Sequence, residues 1–431
     1  MDTPQSQREA ALIESARKYV ARSWRGDRSE RDIVVKSARG SKLLDFSGNE
    51  YIDYLLGSGP MLLGHAHPAV VAAVRDYLDR GSTYYLANEP AIRLAQEVSA
   101  AVPCAEKVIF CSTGSEATLY ALRLARAYRK RDKILKFEGG FHGIHDYALM
   151  SSHLSRRVQD FPAPIPESAG IPRCIVEEVL VAPFNDIETT ATILKKHREE
   201  LGAVIVEPLQ RTTPPQKGFL EGLRQLTNEH HIPLIFDEVA TGFRLAYGGA
   251  QEYYGVVPDL CTQGKVLGGG FPISAICGNS EIMALLDPGQ GEEQVLISGT
   301  LAGNPISATA ALATLKELRQ EGTYERLFAM GKRLMEALRR LLAEAEIPAQ
   351  VVGEPPAFEA FFTEVNITNH RSLLSADTEM RDRFMHLLLD RGILKGKTKF
   401  YVSLAHTEED IEKTIDAFGS AIDELRDRRN K

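Results

Sequence analysis

The chain has 431 residues, a formal net charge of −7, 44% hydrophobic and 25% charged residues, and five cysteines. This composition is ordinary for a soluble globular protein, and the acidic balance argues against a surface that neutralises nucleic-acid phosphates. The sequence contains no Cys-x-x-Cys pair, no apolar signal core and no apolar run near the ~20 residues of a membrane span. We therefore expect a reduced, cytoplasmic protein without a nucleic-acid or membrane partner.

Residues 1–56 are predicted to form an N-terminal segment that packs with a smaller C-terminal domain. Apolar residues spaced among charges predict a helix over residues 5–24, and two strand-like runs around Gly48 and Asn49 predict a β-hairpin. Between them lies a basic stretch that contains the only tryptophan, Trp24. That stretch is either a surface connector or an anion-binding segment.

Strands and helices alternate through a large domain, predicted over residues 57–320. Strands are predicted at residues 108–112, 133–137, 178–182, 203–207, 233–238, 260–263 and 273–277, and helices at residues 117–130, 186–200 and 219–231. Near-continuous apolar strands of this kind predict an α/β fold with a mainly parallel sheet covered by helices. Helices at residues 305–320, 322–345, 376–391 and 408–427, with short strands between them, predict a small α+β domain over residues 321–431.

Four chemically useful residues, Ser112, Glu207, Asp237 and Lys265, each fall at the end of a predicted strand. Ligands bind at the carboxyl ends of the strands in such sheets, so one shared site is expected. A lone lysine is usually a solvated surface residue, and a P-loop is excluded because Val266 stands where Ser or Thr is required. A carboxylate and an amine in these positions fit a pyridoxal phosphate enzyme, in which lysine forms a Schiff base and aspartate pairs with the ring nitrogen.

Several turns that follow strands supply further candidates. The turn from Ser112 to Glu116 opens a helix and is either a phosphate seat or a simple N-cap. Phe141 could stack on a cofactor ring, and His142 could orient it. Glu207 could pair with an arginine or position a water, and Gln210 could form a hydrogen bond with a phenolic oxygen. Thr300 could bind an anion or cap a helix. His65 and His67 lack further ligands at suitable spacing, so no metal is expected.

These motifs make the sequence similar to the class III, fold-type I pyridoxal phosphate-dependent aminotransferases, and most of all to their glutamate-1-semialdehyde aminomutase branch. The resemblance spans about residues 51–406. The segments that carry it are residues 51–54, 59–68, 112–117, 141–143, 237–244, 264–270, 299–305 and 402–406.

The resemblance implies a role for each candidate in binding pyridoxal 5'-phosphate. Lys265 would form the Schiff base and then carry the proton between the substrate carbon and C4′, while Asp237 would bind the pyridine nitrogen. Thr300 would reach the phosphate of the other subunit, which implies a homodimer. The remaining contacts would come from Val239 and Phe141 on the two ring faces, His142 beside the ring, Gly114 and Ser115 at the phosphate, and Gln210 near the ring hydroxyl. Glu207 is a further candidate for the cofactor site.

The sequence departs from the aminomutase pattern around the substrate. Aminomutases carry a Ser-Pro-Val-Arg-like segment where this chain has residues 23–28, a tryptophan in place of Ser58, and a Phe-Glu-Ala segment where residues 397–399 are Lys-Thr-Lys. The basic residues Arg25, Arg28, Lys397 and Lys399 could receive a substrate carboxylate.

The departures favour an aminotransferase that moves an amino group from an amino acid or amine donor to a keto acid or aldehyde acceptor. Intramolecular transfer by a glutamate-1-semialdehyde 2,1-aminomutase and a racemase or epimerase on the same scaffold are the enzymatic alternatives. A binding or regulatory module that retains the fold is the non-enzymatic one.

Overall fold

The computed structural model describes residues 4–21, 32–153 and 158–429. Arg25 and Arg28, two of the predicted substrate residues, lie outside these ranges. The chain divides into two compact units: one comprises Met1–Pro68, Glu325–Glu364 and Ala376–Lys431, and the other comprises Ala69–Tyr324 and Val365–Ser375. The predicted division at residues 56 and 320 stays a prediction.

The strands and helices follow one another along the chain with short connections. The strands are β1 (Val35–Arg39), β2 (Lys42–Asp45), β3 (Glu50–Asp53), β4 (Lys107–Cys111), β5 (Lys133–Phe137), β6 (Val179–Ala182), β7 (Leu201–Val206), β8 (Leu234–Glu238), β9 (Leu260–Gln263), β10 (Ser274–Gly278), β11 (Gln350–Glu354), β12 (Ala357–Phe361), β13 (Ile393–Leu394) and β14 (Phe400–Tyr401). The helices are α1 (Pro4–Tyr19), α2 (Pro68–Leu78), α3 (Glu89–Ala101), α4 (Gly114–Arg129), α5 (Arg173–Val176), α6 (Ile187–His197), α7 (Phe219–Glu229), α8 (Gly249–Tyr254), α9 (Ser280–Met283), α10 (Pro305–Leu318), α11 (Thr323–Glu344), α12 (His370–Leu373), α13 (Thr378–Asp390) and α14 (Glu408–Arg429).

The larger unit contains a seven-stranded sheet in the order β4-β10-β9-β8-β7-β5-β6. Strands β5 to β9 run parallel, whereas β10 is antiparallel to both of its neighbours, β4 and β9. Every residue of β6, β7, β8, β9 and β10 is buried, as expected for strands covered on both faces. The predicted α/β fold with a mainly parallel sheet is confirmed.

Helix α4 shows how the sequence covers this sheet. Its small and apolar residues recur at helical spacing, and Ala117, Ala121, Leu124 and Ala125 are fully buried in the core. This stripe packs on the sheet. The beginning of α4 is thereby fixed beside the carboxyl ends of the parallel strands, where ligands bind.

The smaller unit has two sheets of its own. One has the order β1-β2-β3-β13, and the other is the antiparallel sheet β11-β12-β14. The predicted hairpin around Gly48 is present as β2 and β3. Within this unit the Lys395 amine lies 2.7 Å from the Glu359 carboxylate, and both side chains are 1% exposed. Burial raises the pKa of Glu359, and the Lys395 cation opposes that rise.

Two elements differ from those predicted. The N-terminal helix ends at Tyr19 rather than continuing to residue 24. Helix α3 was not predicted, although the sequence carries its start signals: the Asn88 side chain accepts a hydrogen bond from the Ala91 N–H, and Pro90 lies in the first turn. Across the described ranges, no helix combines the length and apolar character that crossing a bilayer would require.

Candidate functional site

The centre of the candidate site is Asp237, at the end of β8. Its carboxylate is buried and lies 2.8 Å from Nδ1 of His142, and it accepts hydrogen bonds from the Val239 N–H at 3.1 Å and the Thr262 hydroxyl at 3.0 Å. Burial raises the pKa of Asp237, but the hydrogen bonds from these three groups outweigh burial and hold the pKa below its ordinary value. The carboxylate therefore stays ionised in a water-poor position.

The strand register brings Lys265 to the same edge of the sheet. Strand β9 pairs in parallel with β8, so that Asp237 lies opposite Thr262, and Lys265 follows three residues later. Lys265 begins a short 3₁₀ helix in the left-handed backbone region, with φ of +43°, and is half-buried. Such strain in a non-glycine residue is typical of functional sites. Asp237 and Lys265 thus lie at the same edge of the sheet.

The first turn of α4 combines capping with free backbone donors. The Thr113 side chain caps the helix by accepting from the Glu116 N–H at 3.2 Å, and the Glu116 carboxylate accepts from the Ser112 and Thr113 N–H groups. The N–H groups of Gly114 and Ser115 have no acceptor within the described ranges. The capping interpretation is confirmed for Thr113. The next two amides remain available for an anion, so the phosphate seat stays a prediction.

A glycine-rich loop after β5 carries Phe141 and His142. The Phe141 N–H donates to the Glu207 carboxylate at 2.9 Å, so Glu207 fixes the backbone of this loop. Gly143 has φ of +95°, and a Cβ there would lie 2.6 Å from the Ser115 hydroxyl oxygen. Only glycine permits this approach. The loop that carries the aromatic ring is therefore packed directly on the predicted phosphate seat.

Two of the buried polar atoms without a hydrogen-bond partner in the described part of the protein lie beside Gly140 in this loop. They are Nε2 of His142 and Oε1 of Gln210. The other end of the Gln210 amide donates to the Glu138 carbonyl at 2.7 Å. Both atoms lie close to Gly140, where a Cβ would be 3.1 Å from Nε2 and 3.5 Å from Oε1. Buried polar atoms without partners are rare and point to an absent ligand.

Sequence reasoning missed Lys136, a fully buried lysine on β5. Its amine donates to the carbonyls of Gly140 at 3.0 Å and Ala148 at 2.9 Å, to the Met150 carbonyl, and to the Ser152 hydroxyl at 2.7 Å. Burial lowers its pKa to about 7, against the opposing charges of nearby glutamates. The signal was present as a lysine inside an apolar strand, which is uncommon without a dedicated partner.

The other predicted residues lie on other segments of the chain. Thr300 is exposed, and Asn304 rather than Thr300 caps α10, so the capping interpretation of Thr300 is wrong. In the smaller unit, Ser58 is exposed, Lys397 is half-buried and Lys399 is buried, with its amine 5.5 Å from the centre of the Tyr401 ring. Their proposed contact with substrate stays a prediction.

Comparison with known proteins gives consistent results. The family described as Aminotransferase class-III matches residues 25–422. A glutamate-1-semialdehyde 2,1-aminomutase from Desulforamulus reducens is 42% identical over 389 residues, which cover 89% of this chain and 88% of the relative. Among solved structures, an omega-transaminase from Sphaerobacter thermophilus has a TM-score of 0.92 and 31% identity, with coverage of 97% and 98%.

A glutamate-1-semialdehyde-aminomutase from Pseudomonas aeruginosa PAO1 has a TM-score of 0.87 and 26% identity, covers 97% of this chain and 95% of its own, and has also been solved as a variant in complex with PMP. The predicted resemblance, the fold-type I architecture and pyridoxal 5'-phosphate as cofactor are confirmed.

Proposed function

Since this chain belongs to the class III aminotransferase family, we propose that it transfers an amino group by means of pyridoxal 5'-phosphate held at the Asp237 edge of the large sheet. The observation that carries the proposal is the ionised, buried Asp237 carboxylate beside β9, the strand that Lys265 follows by two residues. A buried carboxylate with three hydrogen-bond donors is suited to hold a protonated ring nitrogen.

The residues present fit the cofactor at each of its polar groups. The open amides of Gly114 and Ser115 would bind the phosphate, and the unpartnered Oε1 of Gln210 would accept from the ring hydroxyl. Phe141 and Val239 would cover the two ring faces. When bound, the cofactor supplies an electron sink for the bond that breaks at the substrate carbon.

Lys265 has two tasks in this proposal. Its amine would bind the cofactor aldehyde. Once a substrate amine takes that place, the free lysine amine would carry the proton between the substrate carbon that bears nitrogen and C4′ of the cofactor. The left-handed backbone at Lys265 is the kind of strained conformation that functional sites retain. His142, through Nδ1, would keep the Asp237 carboxylate oriented and ionised.

For the outcome of the reaction, the curated relatives support intramolecular transfer best. Relatives with the name glutamate-1-semialdehyde 2,1-aminomutase reach 42% identity, compared with 31% for the omega-transaminase structure. We therefore propose the aminomutase reaction, which moves an amino group between adjacent carbons of one substrate, as the first candidate. This choice reverses the order that the sequence departures favoured.

Intermolecular amino transfer is the second candidate, and specific residues favour it. Ser58 and residues 397–399 differ from the aminomutase pattern in the segments that would meet substrate. A change of the groups that recognise substrate alters the reaction without altering the cofactor site.

One set of incubations separates the candidates. The purified holoenzyme is given glutamate-1-semialdehyde alone, and formation of 5-aminolevulinate is followed by chromatography. In parallel, amino donors are paired with keto acceptors, and loss and return of the absorbance of the bound cofactor are recorded. Conversion without a second substrate supports the aminomutase, and turnover only with a donor and acceptor pair supports the aminotransferase. No turnover in either series contradicts the proposal.

The role of Lys265 has a test that does not depend on activity. Borohydride reduction of the holoenzyme should attach the cofactor permanently, which mass spectrometry detects as added mass on the peptide that contains Lys265. Lys265→Ala should gain no such mass. Lys136→Met is the matched control, because it removes the other lysine of the site region and should still become labelled.

We also propose that the enzyme works as a homodimer in which Thr300 completes the partner's phosphate site. Mixed dimers of Lys265→Ala and Thr300→Val test this arrangement. If Thr300 acts across the interface, one site of the mixed dimer has both native residues, and its activity should exceed that of either parent. If Thr300 acts within its own subunit, the mixed dimer contains no intact site and gains nothing.

A further inference from the structure

Arg211 occupies a tight turn directly after the candidate cofactor residue Gln210. The turn is closed by two backbone hydrogen bonds, from the Gln210 N–H to the Thr213 carbonyl at 3.0 Å and from the Thr213 N–H to the Gln210 carbonyl at 2.8 Å. Arg211 is half-buried. The turn follows β7, so the arginine lies at the ligand-binding edge of the sheet, where Asp237 also lies.

The backbone of Arg211 is strained. Its φ is +60°, in the left-handed region that glycine adopts far more readily than other residues. Strained backbone of this kind is retained mainly in functional sites, where it places a side chain that the function requires. A turn chosen for stability alone would carry glycine or asparagine here.

Among the residues that the structure describes, the guanidinium of Arg211 has no anionic partner. Its carbon lies 5.4 Å from the centre of the Phe141 ring, and it forms no hydrogen bond or ion pair with any residue in the described ranges. The neighbouring charges are already engaged: Glu207 accepts from the Phe141 N–H, Asp237 contacts His142, and the Lys136 amine is used by backbone carbonyls. Arg211 is therefore available to an anionic ligand, beside the proposed ring-stacking residue Phe141.

We propose that Arg211 binds the carboxylate of the substrate and so selects amino acids and keto acids over simple amines. The inference deepens the proposed function and rests on it. A guanidinium presents a planar pair of donors that matches the two oxygens of a carboxylate. Contact with the Phe141 ring holds the guanidinium plane beside the site. The substrate class then follows from a residue of the large unit, independently of Lys397 and Lys399.

The test compares donors that differ only in the carboxylate. The best acidic donor from the substrate panel is paired with the amine that has a methyl group in its place. Arg211→Gly fits the observed backbone angle, so the variant should fold at least as well as the native protein. We expect it to lower kcat/KM for the acid by about 10–100-fold, as loss of a charge-assisted hydrogen-bonded pair does, and to leave the amine within about twofold.

Two further measurements make the result decisive. Arg211→Lys, which keeps the charge but not the paired donors, should fall between the native protein and Arg211→Gly with the acid. Isothermal titration of the holoenzymes with glutarate, a dicarboxylate without an amino group, should show at least about tenfold weaker binding by Arg211→Gly. Equal losses with both donors, or unchanged glutarate affinity, would overturn the role of Arg211.

The glutarate titration also separates failure of the carboxylate site from failure of the proposed function. A native holoenzyme that binds glutarate through Arg211 but turns over no substrate contradicts the proposed function and leaves the carboxylate site standing. A native enzyme that transfers amino groups but binds no glutarate contradicts the carboxylate site alone. A weaker affinity of Arg211→Gly for pyridoxamine phosphate would show that Arg211 merely supports Phe141, and would also overturn the inference.

Discussion

Thr262→Val isolates one of the hydrogen bonds that keep Asp237 ionised. The two side chains have nearly the same shape, and Thr262 is fully buried, so the substitution removes a hydroxyl without exposing a cavity. The lost bond is 3.0 Å long and ends on a carboxylate. Hydrogen bonds to charged groups contribute about 1.5–3 kcal/mol. We therefore expect the pKa of Asp237 to rise and cofactor affinity to fall by about 10–100-fold.

The assay uses pyridoxamine 5'-phosphate, which cannot bond covalently to Lys265 and therefore reports the ring and phosphate contacts alone. Its dissociation constant is measured by equilibrium dialysis with the apoprotein. Thr227→Val is the control, because Thr227 is equally buried and its hydroxyl donates to the Leu223 carbonyl within α7, away from the site. A change below about twofold for Thr262→Val, or an equal change for Thr227→Val, would refute the reasoning.

Three other predictions concern stability. Gly143→Ala should lower the free energy of unfolding, measured in urea, by about 2–4 kcal/mol, because of backbone strain and a clash with α4. Gly170→Ala has a similar φ but open space around it, and should lower the free energy of unfolding by only about 1–2 kcal/mol. Equal losses would contradict the clash. Burial lowers the pKa of Lys136 to about 7 from its ordinary 10.5, so the unfolded chain binds more protons between these values. The stability of the native protein relative to Lys136→Met should therefore rise by about 1.4 kcal/mol per pH unit as pH increases through this window, and a flat difference would count against it. Lys395→Met leaves the buried Glu359 carboxylate without its cation and should lower the free energy of unfolding by about 3–5 kcal/mol. The double variant with Glu359→Met should recover stability. No recovery would argue against a coupled pair.

The centre of the site could be predicted because it depends on local pattern. Asp237 and Lys265 each close a buried apolar run, and parallel strands present their ends at one edge. Thr113 and Glu116 likewise carry a capping signal that sequence alone displays. These features require only the order of residues along a strand or a helix turn.

The supporting residues could not be predicted because they depend on pairing between distant segments. Thr262 contacts Asp237 only through the β8–β9 register, and Lys136 finds its acceptors in a loop up to 16 residues away. The backbone angle of Arg211 is fixed by its turn and leaves no trace in composition. Residues 365–375 belong to the larger unit although both flanking segments belong to the smaller one, which no linear boundary could express.

The position of β4 at the edge of the large sheet has a consequence for the order of events during synthesis. Within this sheet β4 pairs only with β10, whose residues leave the ribosome more than 160 positions later. The turn after β4, with its open amides, therefore has no strand partner to anchor it while residues 112–273 are being made. A nascent chain released before residue 278 could assemble the parallel strands, but its edge strand would remain unpaired and open to other chains. The sheet should therefore assemble before the cofactor binds, and cofactor binding should be a late step of folding.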